Sequence, residues 1–432
     1  MLIFSEHITP RLKYVIHFIF EEFLGIKTVI TSDKEFFINA DQQKLSYVDD
    51  RLENEFNISP IGLLFENNIR NIDPELSKWY NMPVIFPLNS RSDLPFDLFA
   101  AIFFLITRYE EYLHFKPDRY KRFPAQESVG YKNSFLEQAV VDRWILKFYD
   151  LLKKKYPGLK PAKRSFRFIP TIDVDIPYAY LHKGFLRCTG GVMKSVIRLE
   201  FNKLKERFNV LMKKQEDPFY TFGRIKKIHS DKELITFFLT AGYGKYDKGI
   251  HPREKAFIEM VNEVSAFSQS GLHPSYHSNK NVIILENELQ TLSRIAEKKI
   301  TISRQHYLIL NLPETYNKLS EMGIREDYSM GYASFPGFRA GTCTPFYFYD
   351  LLNERETTLK IFPFQLMDRT LKDYLCLSPS EAIRKISSMV GEVRDVNGTL
   401  ITIWHNDSFS DSGEWEGWLE VYMKLLQVAK KC

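Results

Sequence analysis

The amino-acid sequence predicts an α/β protein: a smaller α/β module over residues 1–160, then an incomplete or distorted (β/α) barrel over 161–432. Three observations lead there. At 432 residues the chain exceeds what one hydrophobic core usually holds. A basic stretch bearing Pro and Gly, KKKYPGLKPAKR at 153–164, reads as a linker. Beyond it, apolar β-type runs alternate with helical stretches, the mark of parallel βα units.

In the first module, Thr9 and Pro10 read as an N-cap and first helical residue. Leu12, Val15, Ile16, Ile19, Phe20, Phe23 and Leu24 then keep helical spacing, and Gly25 ends the helix. IKTVITS, KLSYV, IGLLF and MPVIFPL are β-type runs, and helices are expected over 95–114 and 135–156. From 165 the strand candidates are SFRFIPTID, LITFFLTAG, GLHP, KKITISRQH, LKIFPFQLMD and TLITIWHND. Helices are expected over 252–268, 285–298, 313–322, 379–392 and 414–430. A basic helical insertion at 184–232 interrupts this rhythm. Val196, Leu199, Leu204, Phe208 and Leu211 line its apolar side, which is expected to pack on the barrel, with a lid or a face for an anionic glycan or membrane surface as the lesser reading.

Bulk composition narrows the class. The chain is 44% hydrophobic and 26% charged, as in ordinary globular proteins. A net charge of +5 is too small to argue for nucleic acid. Cys188, Cys343, Cys376 and Cys432 show no CxxC spacing, which argues against a disulfide framework and a cysteine-zinc site and fits a reducing compartment. MLIFSEHITPRL lacks the basic and apolar regions of a signal peptide. LFAAIFFLI at 98–106 is about half a membrane span and reads as a buried helix. A cytoplasmic protein without a transmembrane segment is expected, and peripheral membrane contact stays open.

Ionisable residues gather at the ends of the predicted strands, where parallel folds place their chemistry. TIDVD ends the first barrel strand and sends Asp173 and Asp175 to one face. Two adjacent carboxylates repel, so a proton or a cation must sit between them. GLHPSYHS brings His273 and His277, which share a face if Pro274 begins a helical turn. Alone, an HxxxH pair is weak. With an aspartate it makes a three-ligand site that leaves a position open, the layout of a catalytic divalent ion, zinc above others. Arg339 in GFRAGTCTPF, Asp368 in QLMDRT and His405 in ITIWHND lie on the same predicted rim. His306 in SRQHY is expected in a supporting or packing role, and Asp247 lines the cleft or caps a helix.

The ordered set TIDVD, HPSYH, GFRAG, an acidic residue and IWH, over about residues 165–410, resembles the polysaccharide deacetylase superfamily, the family 4 carbohydrate esterases. The resemblance implies a distorted (β/α) barrel, one divalent ion, often zinc, and removal of N- or O-acetyl groups from sugars. It implies Asp173 as general base, Asp175, His273 and His277 as metal ligands, and Arg339 holding Asp173 ionised. It also implies His405 as the acid that protonates the leaving amine, oriented by Asp368. The sequence departs from the commonest pattern: valine separates the aspartates, and RAGTCTP replaces the more usual proline-rich arginine motif. The substrate expected is an N-acetylated sugar or glycan precursor, without nucleic acid. The alternatives are a non-catalytic glycan-binding or scaffold protein on the same fold, or a related cyclic-amide C–N hydrolase.

Overall fold

A computed structural model describes residues 1–89, 92–229 and 233–430. The chain forms two compact units, one of Met1–Arg167, Leu310–Gln365 and Gly391–Leu400, the other of Phe168–Ile309, Leu366–Val390 and Ile401–Cys432. The division is therefore not a single cut near residue 160. The segment expected as a linker belongs to the first unit, where Ala162 N–H donates to Leu24 C=O at 2.7 Å.

The first unit begins with strands β1 (Leu2–Phe4), β2 (Val29–Thr31), β3 (Lys44–Tyr47) and β4 (Phe56–Ile58). They pair in parallel in the order β2-β1-β3-β4. Strands β5 (Leu76–Trp79) and β6 (Met82–Ile85) form an antiparallel hairpin. Thr9 caps the helix Pro10–Ile16 through Leu12 N–H, and the chain continues as a π-helical stretch, His17–Phe23. All seven apolar residues of the predicted periodicity are buried. Gly25 follows in the left-handed region, where a Cβ would lie 2.5 Å from Ala162. IGLLF, expected as a strand, instead carries the 3-10 turn Leu63–Phe65, set up by Gly62 at φ 89°. Leu98–Ile106 is a helix whose every residue is buried, capped by Asp97.

The second unit opens with β7 (Arg167–Val174), β8 (Ile235–Leu239), β9 (Gln269–His273) and β10 (Ile302–Ser303). The chain then supplies β11 (Glu326–Asp327), β12 (Phe346–Asp350) and β13 (Arg355–Ile361) to the first unit. Strands β14 (Leu366–Met367) and β15 (Thr399–His405) follow. Within the second unit the order runs β10-β9-β8-β7-β15-β14. The pairings β7–β8, β8–β9, β9–β10 and β14–β15 are parallel. β8 is buried along its whole length, as a parallel strand covered on both faces should be.

The expected barrel is corrected here: among the described residues the order is linear, not a closed ring. β10 and β14, two residues each, offer little ladder for closure. The run LKIFPFQLMD is likewise two strands, interrupted at Pro363, which has no N–H to donate. Helices Lys255–Ser265, Val282–Ile295 and Trp418–Lys430 bury one apolar side each. Trp404, Trp415 and Trp418 are core residues.

The expected insertion forms helices Phe185–Ile197, Phe201–Leu211 and Phe222–Ile228, and its residues 230–232 lie outside the described residues. Its predicted apolar side does not pack as expected, because Val196, Leu199, Phe208 and Leu211 are exposed. Cys188, Cys343 and Cys376 are free thiols, and Cys432 lies outside the described residues.

Candidate metal centre

Parallel strands deliver the site at their C-terminal ends. β7 carries Asp173 and hands on to Asp175, and β9 ends at His273. β10 is followed by Arg304 and His306, β14 by Asp368, and β15 ends at His405. All belong to the second unit.

Asp175 lies at the centre. Its carboxylate oxygens are 3.1 Å from His273 Nε2, 3.4 Å from His306 Nε2 and 3.7 Å from His405 Nε2. Each ring is fixed from behind through Nδ1. That of His273 lies 2.6 Å from Arg304 C=O, that of His306 2.9 Å from Asp247, and that of His405 2.8 Å from Asp368. A carbonyl or carboxylate oxygen there takes the Nδ1 proton, so each Nε2 is turned towards Asp175. Asp368 is fully buried and also accepts from the backbone N–H of His405 at 2.8 Å.

Asp173 is buried and accepts from Arg304 Nη1 at 2.8 Å, and its other oxygen is 3.9 Å from His273 Nε2. The same Arg304 nitrogen donates to Thr171 Oγ1 at 2.6 Å, and the guanidinium lies over the Phe237 ring. Thr171 in turn donates to Thr402 C=O.

The carboxylates and imidazoles of the site favour one another's charged forms. Burial alone would raise the Asp175 carboxyl, but the imidazoles of His306 and His273 outweigh it and hold the pKa well below the usual carboxylate range. Burial opposes a charged His306, yet Asp175 and Asp247 push its pKa up to about 9. His405 is likewise pushed up to about 10, against burial, by Asp368 and Asp175. Burial would raise Asp368, and His405 with Arg369 lower it instead.

Asp175, His273 and His306 form the group whose ligand atoms lie within 4.8 Å of one another. One atom tests whether they suit a cation. Asp175 Oδ1 is sealed from solvent and accepts no hydrogen bond, although His273 Nε2 is 3.1 Å away. A buried carboxylate oxygen without a partner is costly. Two imidazole nitrogens and this oxygen suit a divalent ion of the zinc type. Such an ion would take over the neutralising role of the His306 proton.

Two sequence expectations are corrected by this geometry. His277 does not join Asp175 and His273. β9 runs straight to His273 and Pro274 turns the chain, so no helical turn aligns the two rings. His277 is exposed, its ring 5.8 Å from that of Tyr276. His306 stands there instead. Arg339 is not the partner of Asp173 either. It belongs to the first unit, where its Nε and Nη2 donate to Glu111 at 2.9 and 2.6 Å and its Nη1 donates to Gly331 C=O. Arg304 fills that place, and sequence reasoning missed it. The signal was present in SRQH: after a short strand, Arg304 and His306 are two apart, as Asp173 and Asp175 are.

A family of unknown function, DUF7033, matches residues 1–157. No curated protein matches. Among solved structures, the chain is similar to a Mycobacterium smegmatis protein whose polysaccharide deacetylase assignment is provisional. That match has 13% identity and a TM-score of 0.41, over 63% of this chain and 87% of the other. It is also similar to a polysaccharide deacetylase from Bacillus cereus, with 12% identity and a TM-score of 0.30 over 61% and 88%. A CE4 family pseudoenzyme from Bacillus anthracis matches at 13% identity and a TM-score of 0.30, over 63% and 66%. These three likenesses are distant.

Proposed function

We propose that this centre hydrolyses an acyl–nitrogen bond, removing an acetyl group from an N-acetylated sugar or glycan precursor. One divalent ion would be held by Asp175, His273 and His306. The observation that carries this reading is the sealed, unbonded Asp175 Oδ1 facing imidazole nitrogen, with a second carboxylate and a third imidazole alongside. The resemblance of TIDVD and IWH to the motifs of the polysaccharide deacetylase superfamily supports an acetylated sugar as the substrate class.

When bound, the ion supplies Lewis-acid polarisation of the acyl carbonyl and a lowered pKa for water. Asp173 accepts the proton of the attacking water. Arg304 fixes the direction of that carboxylate through a 2.8 Å bond. His405 gives its Nε2 proton to the departing nitrogen, without which an amine leaves poorly. Asp368 accepts the Nδ1–H of that ring and favours the imidazolium, the form that carries the Nε2 proton.

The test is acetate release from N-acetylglucosamine oligomers by the zinc-loaded chain. Release that falls at least ~100-fold in Asp173→Asn, with the ion still bound, is expected. If the wild-type chain binds the ion yet frees no acetate from any N-acetylated sugar, a non-catalytic glycan-binding role replaces this one.

A further inference from the structure

We infer that the helical pair Phe185–Ile197 and Phe201–Leu211 is a docking element for an anionic lipid bilayer surface. This inference is independent of the hydrolytic reading.

The first helix is inside-out. An ordinary surface helix turns its apolar stripe to the core. Here the side facing the protein carries Arg187, Cys188, Gly191 and Ser195. Arg187 donates to the backbone carbonyls of Gly249 and Lys248 at 3.1 and 2.9 Å. Gly191 lies under the guanidinium of Arg207, where a Cβ would fall 2.5 Å away. The helix is therefore anchored by polar contacts and close approach. Its apolar residues Phe185, Val192 and Val196, which share one face at helical spacing, point to solvent, and Met193 and Ile197 beside them are exposed too.

The turn between the helices extends that face. Leu199 adopts a left-handed backbone, φ 55°, which large side chains rarely do. Ile197, Leu199 and Phe201 are 77%, 70% and 67% exposed. Isolated exposed apolar residues are ordinary, whereas a cluster this dense marks an interaction surface.

Charge selects the occupant. Residues 183–214 contain nine Lys and Arg against two Glu. Lys194, Arg198, Lys203, Lys205, Lys213 and Lys214 are exposed. A second copy of the chain would bring the same positive charge to the contact. A soluble polysaccharide has no use for an aliphatic tip. An anionic bilayer meets both features, its headgroups the cations and its acyl boundary the apolar stripe. No helix among the described residues is long and apolar enough to cross a membrane, so the element would lie on the surface.

Flotation of the full-length chain with two vesicle types tests this, pure phosphatidylcholine and phosphatidylcholine with one third phosphatidylglycerol. Binding to the anionic vesicles at least ~10-fold tighter than to the neutral ones is expected, weakening with salt. The double substitution Ile197→Asp/Phe201→Asp should lower it at least ~10-fold, and Lys203→Glu/Lys205→Glu should lower it separately. Circular dichroism would check that both variants fold. No binding to anionic vesicles, or binding that ignores both pairs of substitutions, overturns the inference. So does a stable dimer in solution that Ile197→Asp/Phe201→Asp dissolves.

Discussion

Arg108, Glu110, Glu111 and Arg339 are buried together in the first unit, while Asp173, Arg304, His273, His306 and Asp368 are buried around Asp175 in the second. The two clusters use similar residue types and treat charge differently. In the first, two guanidinium groups meet two carboxylates. Arg108 donates to Glu110 and Glu111 at 2.7 Å each, Arg339 binds Glu111 through two nitrogens, and Glu110 also accepts from Val129 N–H. Charge is balanced within the cluster. In the second, four carboxylates including Asp247 meet the guanidinium of Arg304 and three imidazoles, Arg369 acts on Asp368 as well, and one carboxylate oxygen accepts no hydrogen bond. The lesson is that buried charge alone does not mark a working site. A carboxylate oxygen without a hydrogen bond, set among imidazole nitrogens, marks a candidate for one.

Substitutions should separate the two clusters. The largest effect on stability is expected from Arg339→Ala, which removes two charged hydrogen bonds from Glu111 and leaves it in the core with Arg108 alone, and should cost about 3–5 kcal/mol in urea denaturation. Zinc affinity of the folded variant should not change. Arg304→Met is the counterpart in the second cluster. It should lower acetate release about 10–100-fold, because Asp173 loses the donor that fixes its direction. Asp247→Asn should weaken zinc binding about 10–100-fold by releasing His306, as isothermal titration would report.

The smallest expected effects lie outside both clusters. Burial pushes the Asp97 pKa up to about 6, while Tyr47 and backbone N–H groups pull against it. Its folded pKa exceeds the unfolded value, so its contribution to stability is greatest below about pH 4 and is lost as pH rises through 6. Asp97→Ala should cost about 1 kcal/mol for the lost helix cap, whereas Asp97→Asn should keep the cap and flatten the pH dependence.

Much of the second cluster could be read from sequence because it is local. Asp173 and Asp175 share a strand end, and His405 ends a strand that reads as one. The parts that could not be read depend on distant partners. Glu111 lies 228 positions from Arg339, so nothing near GFRAG showed that its arginine was already engaged. HPSYH gave the right spacing for a helical pair, but β9 extends to His273 and the spacing then carries no meaning. His306 was visible only as a histidine after a two-residue strand, too short for its direction to be inferred. The barrel failed for a related reason: counting βα units does not reveal which strands are too short to close a ring. The insertion misled in the opposite way, since its amphipathic pattern was plain but the side turned inward was the polar one.

The central claim concerns which histidine completes the ion site. Zinc stoichiometry and affinity, measured on the wild-type chain, His306→Ala and His277→Ala under one buffer condition, test it most directly. One ion per chain, bound by the wild type and by His277→Ala and lost from His306→Ala, is the result expected from the 3.4 Å approach of His306 to Asp175. Loss of the ion from His277→Ala with retention by His306→Ala would contradict it.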